Sequence, residues 1–144
     1  MTNKRVVVIG GGPAGQDAAT YAARFGADVT LIEREIVGGA AHLRDCVPSK
    51  SMIATGGALS FAQRLDGMGL AKVETGIDAD QLRERIQGIE RRLEQAVTQL
   101  LTSQGVTIHR GTGRLLNHNE VCADTDSGPT VSYTHLTLPT KRIV

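Results

Sequence analysis

Residues Arg5 to Glu33 read RVVVIGGGPAGQDAATYAARFGADVTLIE, and that order of elements leaves few folds open. Val6-Val7-Val8-Ile9 is an unbroken apolar run, the pattern of a strand covered on both faces in a parallel sheet. Gly10, Gly12 and Gly15 follow in G-x-G-x-x-G spacing. Pro13 to Phe25 is alanine-rich and reads as a helix, with Gly26 in the C-cap position. Asp28 to Ile32 reads as a second strand, which ends on the acidic Glu33.

Each part of this strand–helix–strand unit suits a dinucleotide. Gly10 permits a tight turn, Gly12 lets the backbone approach a pyrophosphate, and Gly15 lets helix and strand pack closely. The helix N-terminus at Pro13 and Ala14 offers N–H groups and a partial positive charge to phosphates. Glu33 can accept hydrogen bonds from a ribose 2′-OH and would repel a 2′-phosphate. Glycine-rich loops also serve as plain turns, but strand, helix and acid stand here in the expected order. The fingerprint alone does not separate FAD from NAD.

The 144 residues are enough for one domain with a core, and 40% apolar with 22% charged residues is ordinary for a globular chain. A net charge of +1 gives no electrostatic case for nucleic acid or an anionic membrane as partner. The four-residue apolar run near the N-terminus is too short for a signal segment or a span, so the expected location is the cytoplasm. Cys46 and Cys122 lack metal-type spacing, and His42, His109, His118 and His135 are scattered, so no metal site is expected.

A second motif follows directly, Val37-Gly-Gly-Ala-Ala-His-Leu-Arg-Asp-Cys-Val-Pro-Ser-Lys50. With IGGGPAG and LIERE it resembles the class I pyridine nucleotide–disulfide oxidoreductases, the flavoenzymes that include dihydrolipoamide dehydrogenase. Their pattern is G-G-T-C-x-x-x-x-C-x-P-S-K, with a redox-active disulfide lying against the flavin. Gly38, Gly39, Cys46, Pro48, Ser49 and Lys50 match in type and spacing, whereas Ala41 stands in the place of the first cysteine. A disulfide needs two sulfurs. The resemblance therefore narrows to the quinone-reductase-like branch that carries G-G-A-A here.

What the resemblance implies is an α/β Rossmann-like FAD-binding domain, a parallel sheet with helices plus a β-meander, incomplete in this chain. FAD would be held by Gly10, Gly12, Pro13, Ala14, Gly15, Glu33, Arg34, Gly38, Gly39, Ala40, Lys50 and Gly113. Cys46 would face the flavin ring, and Lys50 would sit beside flavin N5 and help set its electronics. Pro48 fits a first helical turn, which places Cys46 just before a helix N-terminus, where a thiolate is favoured. As a plain packing residue Cys46 would have no such role. NAD(P)H would be the electron donor and a small, quinone-like molecule the acceptor, in a parent expected to be a homodimer.

Further along, Ser51 to Arg64 reads as a helix, with Gly56-Gly57 as a weak point, and Asp66 to Ile77 as a loop. From Asp78 to Gln104, Leu82, Ile86, Ile89, Leu93, Ala96, Val97, Leu100 and Leu101 recur at helical spacing, and Gly105 closes the run. Such a stripe fits packing on the same domain better than a coiled coil. Val106 to Arg110 reads as a strand, and Arg114 to Leu116 and Glu120 to Asp124 as a meander about an Asn-rich turn. Residues 1–128 are thus expected to be the N-terminal part of an FAD/NAD(P)-binding domain. The character of the sequence changes abruptly near Val131, and residues 129–144 are read as a non-native read-through tail. The whole would be the N-terminal fragment of an FAD-dependent NAD(P)H oxidoreductase, inactive by itself. The alternatives are a disulfide reductase of the dihydrolipoamide dehydrogenase type, a dinucleotide-binding module without turnover, and a dehydrogenase using NAD at this fingerprint.

Overall fold

The computed structural model describes residues 4–65, 68–72, 74–125 and 128–133, the last three as backbone only. Strand β1 (Arg5–Ile9), helix α1 (Pro13–Arg24) and strand β2 (Asp28–Glu33) form the expected unit. Helix α2 (Val47–Gln63) and helix α3 (Ala79–Ser103) precede strand β3 (Thr107–Arg110). Strands β4 (Thr112–Asn117), β5 (Glu120–Thr125) and β6 (Gly128–Tyr133) complete the order.

The strands make two sheets. One is parallel in the order β1-β2-β3, and the other is an antiparallel meander β4-β5-β6. The two-residue period of β2 sends its side chains to opposite faces. Val29 and Leu31 join Ala19 of α1 and Leu101 of α3 in one buried cluster. Ile32 joins Val121 and Ala123 of the meander in a second. The parallel sheet is thus a middle layer between helices and meander, and the Rossmann-like class expected from sequence holds.

Four local findings refine the expectations. The β1 run was expected to be covered on both faces, yet Val6, Val7 and Val8 are half-buried and Ile9 is 47% exposed. The reason is its place at the edge of the three described parallel strands. The long helix α3 starts at Asp78, whose carboxylate accepts from the N–H groups of Asp80 and Gln81 at 3.1 and 2.9 Å. Of its stripe, Ile86 and Leu101 are buried against this same domain, while Leu93 and Leu100 stay exposed. At the Asn-rich turn, Asn117 Oδ1 accepts the Asn119 N–H at 2.9 Å, as an Asx turn does.

The fourth concerns the end of the chain. Strand β6 runs across the boundary expected at 128/129, and Pro129 to Tyr133 pair with β5 from Asp124 back to Glu120. Residues 134–144 lie outside the described residues, His135 among them, as do 66, 67 and 73 within the expected loop. None of the described helices is long and apolar enough to cross a membrane.

Candidate functional site

The site begins where β1 hands over to α1. A Cβ built on Gly15 would lie 1.8 Å from the Gly10 carbonyl oxygen, so only glycine lets α1 sit this close to the turn. The loop after β2 closes on the same turn. Gly39 has φ +86°, and a Cβ there would meet Gly12 Cα at 2.9 Å and Pro13 Cδ at 3.2 Å. Gly38 N–H donates to the Gly11 carbonyl at 2.9 Å. The predicted residues Gly12, Pro13, Gly38 and Gly39 therefore form one backbone-walled cradle, with Ala14 in the first turn of α1 and Ala40 where the next helical segment starts.

Beside the cradle lies a cleft of about 260 Å³ lined by Ile9, Gly10, Ile32, Glu33, Arg34, Gly111, Thr112 and Gly113. It gathers four predicted residues from three separate parts of the chain. Register explains the meeting: β2 is hydrogen-bonded between β1 and β3, so the ends of all three strands open on the same side. Gly111 N–H donates to the Glu33 carbonyl at 2.9 Å and ties the start of the meander to that end. Thr112 was missed in the sequence, although it lies inside the Gly-x-Gly from which only Gly113 was nominated.

Glu33 is already engaged by backbone. Oε2 accepts the Gly11 N–H at 2.6 Å, and Oε1 accepts the Glu35 N–H at 2.6 Å. Burial by itself would raise its carboxyl pKa. The N–H groups of Glu35, Gly11 and Ile36, with the charge of Arg110, outweigh that and hold Glu33 below the ordinary carboxylate range. Arg110 also donates to the Glu35 carbonyl at 2.8 Å and pairs with Glu94 of α3. Arg44 bridges Glu35 and Glu90 at 3.0 and 3.3 Å. These pairs are exposed, each contributing about 0–1 kcal/mol, and they tie the loop after β2 to α3.

Cys46 and Lys50 stand apart from this cleft. Both are exposed and neither lines it. Cys46 does not lie at a free helix start, as Pro48 had suggested. α-Helical bonding does begin at Val47 with Pro48 in the first turn, but a π-helical segment, Ala41–Cys46, runs straight into it. The Val47 N–H bonds to the His42 carbonyl, one residue beyond an α-helical bond. Unbonded N–H groups of a free helix start therefore do not converge on Cys46. The same π turn carries position 46 back over position 41. Lys50 lies four residues beyond Cys46, one helical turn on.

Cys46 and Cys122 are both free thiols. Among the described residues no group of three or more His, Cys, Asp or Glu could hold a metal ion.

Known proteins resemble this chain in sequence and in fold. The description "Pyridine nucleotide-disulphide oxidoreductase" matches residues 4–140. A dihydrolipoyl dehydrogenase of Acholeplasma laidlawii is 32% identical over 123 residues, 85% of this chain and 37% of that protein. An NAD(P)H dehydrogenase (quinone) of Mycobacterium tuberculosis is 36% identical over 118 residues, 78% of this chain and 24% of that protein. The crystal structure of LpdA from Mycobacterium tuberculosis superposes with TM-score 0.79 at 30% identity, over 91% of this chain and 30% of that one. The flavoprotein disulfide reductase RclA from Escherichia coli shares the fold, with TM-score 0.72 at 20% identity. The chain spans between about a quarter and somewhat over a third of the length of these relatives. With a glycine cradle, an acid-tipped β2 and a family match over almost its whole length, the chain belongs to the pyridine nucleotide-disulphide oxidoreductase family.

Proposed function

We propose that the chain is the N-terminal part of an FAD-dependent NAD(P)H oxidoreductase and holds the adenosine and pyrophosphate end of FAD. The observation that carries this is the pairing of the cradle of Gly12, Pro13, Gly38 and Gly39 with a cleft edged by Glu33 and Gly113. A Cβ on Gly39 would press on Gly12 Cα at 2.9 Å, so bare backbone lets the loop after β2 close on the turn and leaves backbone groups to meet a ligand. The cleft, about 260 Å³, is smaller than the roughly 300–1,000 Å³ of a whole-ligand pocket, which suits one end of a long dinucleotide.

Each residue has a task in that reading. Backbone N–H groups at Gly12 and the start of α1 meet the pyrophosphate, aided by the helix dipole. Glu33 keeps acceptor capacity beyond its two backbone bonds and takes ribose hydroxyls. Gly113, Thr112 and Arg34 border the adenine end. Cys46 and Lys50 mark the flavin end, away from the cleft. When bound, FAD supplies the two-electron chemistry between NAD(P)H and the acceptor.

Ala41 supports a quinone-like acceptor over a disulfide. With one sulfur missing at the family's cysteine pair, no dithiol at 41 and 46 can exchange with a substrate disulfide. The quinone-type name of one relative agrees with this. The dihydrolipoyl dehydrogenase names of other relatives favour the second reading, disulfide reduction. The experiment is NADH- or NADPH-driven reduction of a benzoquinone and of lipoamide by the full-length protein, repeated with Cys46→Ser. Quinone reduction that survives the substitution is expected. Lipoamide turnover that depends on Cys46 would overturn the quinone reading, and a colourless protein that binds NAD(H) at this turn would overturn the FAD reading.

A further inference from the structure

Gly11 lies at the centre of the turn between β1 and α1, and both peptide groups that flank it are held. Its N–H donates to Glu33 Oε2 at 2.6 Å. Its carbonyl accepts twice, from the Gly38 N–H at 2.9 Å and from Gln16 Nε2 at 3.1 Å. Gln16 is a partly buried residue of the first turn of α1, and its amide reaches back five residues to make this bond. The nitrogen of the amide must face Gly11, because an oxygen there would oppose another acceptor.

The carbonyl of Gly11 and the N–H of Gly12 belong to one planar trans peptide, so they point in opposite directions. Drawing the carbonyl toward Gln16 and Gly38 turns the Gly12 N–H away from both. In a G-x-G-x-x-G turn that N–H is a donor the pyrophosphate needs. We infer that Gln16 is a positioning residue for phosphate binding: its side chain fixes the Gly11–Gly12 peptide so that Gly12 N–H is aimed before the ligand arrives. This rests on the dinucleotide site proposed above. A glutamine at this place is also an ordinary helix former, and without its bond to Gly11 it would serve only as one. Because Gly38 holds the same carbonyl, losing Gln16 loosens the peptide without collapsing the turn.

The test uses the full-length protein with FAD, ADP and adenosine as probes, titrated calorimetrically against Gln16→Met, which keeps size and helix propensity but donates nothing. ADP and FAD are expected to bind about two- to tenfold more weakly, the loss of one neutral hydrogen bond. Adenosine, which lacks phosphate, is expected to bind unchanged. Unchanged ADP affinity overturns the inference, and so does an equal loss for adenosine, which would mark a merely structural role. A wild type that binds FAD but shows either result leaves the dinucleotide site standing. A wild type that binds neither FAD nor ADP removes both. Wild-type protein labelled with ¹⁵N-glycine gives a check that needs no substitution: the Gly12 amide resonance should move with ADP and stay with adenosine. A resonance indifferent to ADP overturns the assignment.

Discussion

Replacing Glu33 by alanine tests the site at its most connected side chain. The carboxylate accepts from Gly11 and Glu35, both at 2.6 Å, and it is only partly buried. A carboxylate offers about four acceptor positions, so two remain for ribose hydroxyls. The two backbone bonds exist with or without ligand and affect affinity only by pre-shaping the turn. The ribose bonds count in full. A hydrogen bond to a charged group contributes about 1.5–3 kcal/mol, so losing even one ribose bond in Glu33→Ala should raise the FAD dissociation constant at least roughly ten- to a hundredfold. The assay is fluorescence titration of the full-length apoprotein with FAD.

A pH series on the apoprotein separates the structural share of Glu33 from its ligand share. The folded pKa lies below the ordinary value, so the ionised group stabilises the fold above its unfolded pKa. That contribution is lost as pH falls through the folded pKa. The melting temperature of wild type should therefore exceed that of Glu33→Gln at neutral pH, and the gap should close on acidification through the carboxylate range. A gap independent of pH, or an unchanged FAD affinity in Glu33→Ala, would refute the reasoning and leave Glu33 a decoration of the strand end.

Three further outcomes are expected. Gly15→Ala gains about 1 kcal/mol of helix propensity, but its Cβ would lie 1.8 Å from the Gly10 oxygen. Overpacking of this kind costs about 1–3 kcal/mol or more, so melting temperature and FAD retention of the full-length protein should both fall. Ala41→Cys should form a disulfide with Cys46 under oxidising conditions, read by loss of free thiols and of two hydrogens in intact mass; two persistent thiols would contradict the π-turn placement. The isolated 144-residue chain, with Ile53 74% and Phe61 59% exposed and β1 and β3 at sheet edges, should bind a hydrophobic dye and aggregate. A cooperative unfolding transition without dye binding would count against that.

How much of this was legible in the residues depends on the range of the interaction involved. The β1-α1-β2 unit could be read to within a residue at its ends because each piece is set locally: apolar run, glycine spacing, alanine-rich helix, Gly26. The stripe of α3 was equally local. The bond from Glu33 to Gly11 spans 22 residues and leaves no mark in composition. Gln16 reads as one more polar helix residue. The π-helical segment hides in Ala-His-Leu-Arg-Asp-Cys, a run with no distinctive period, and it leads straight into the α-helix whose first turn holds Pro48 as expected. Strand β6 was set aside because its residue types differ from what precedes it. Its pairing with β5 is made by backbone groups, to which residue type is nearly indifferent.

The π-helical segment also bears on what the family pattern keeps when a cysteine is lost. In an α-helix, residues five apart are separated by about 7.5 Å along the axis, beyond the roughly 4.4–6.8 Å between Cα atoms that a disulfide spans. A π turn brings position i+5 back over position i. The π form of Ala41–Cys46 thus brings the two ends closer to the spacing that a C-x-x-x-x-C disulfide spans than an α-helix would, although only one end carries sulfur. Backbone form there is held by neighbours: Gly39 carbonyl accepts from His42 and Leu43, and buried Leu43 packs beneath Gly38. Those same glycines wall the cradle proposed for the nucleotide. The backbone form between positions 41 and 46 is therefore held by the glycines of that cradle, whether or not sulfur stands at both ends. Removing the sulfur at position 41 leaves the cradle untouched, whereas a side chain at Gly38 or Gly39 would disturb both at once.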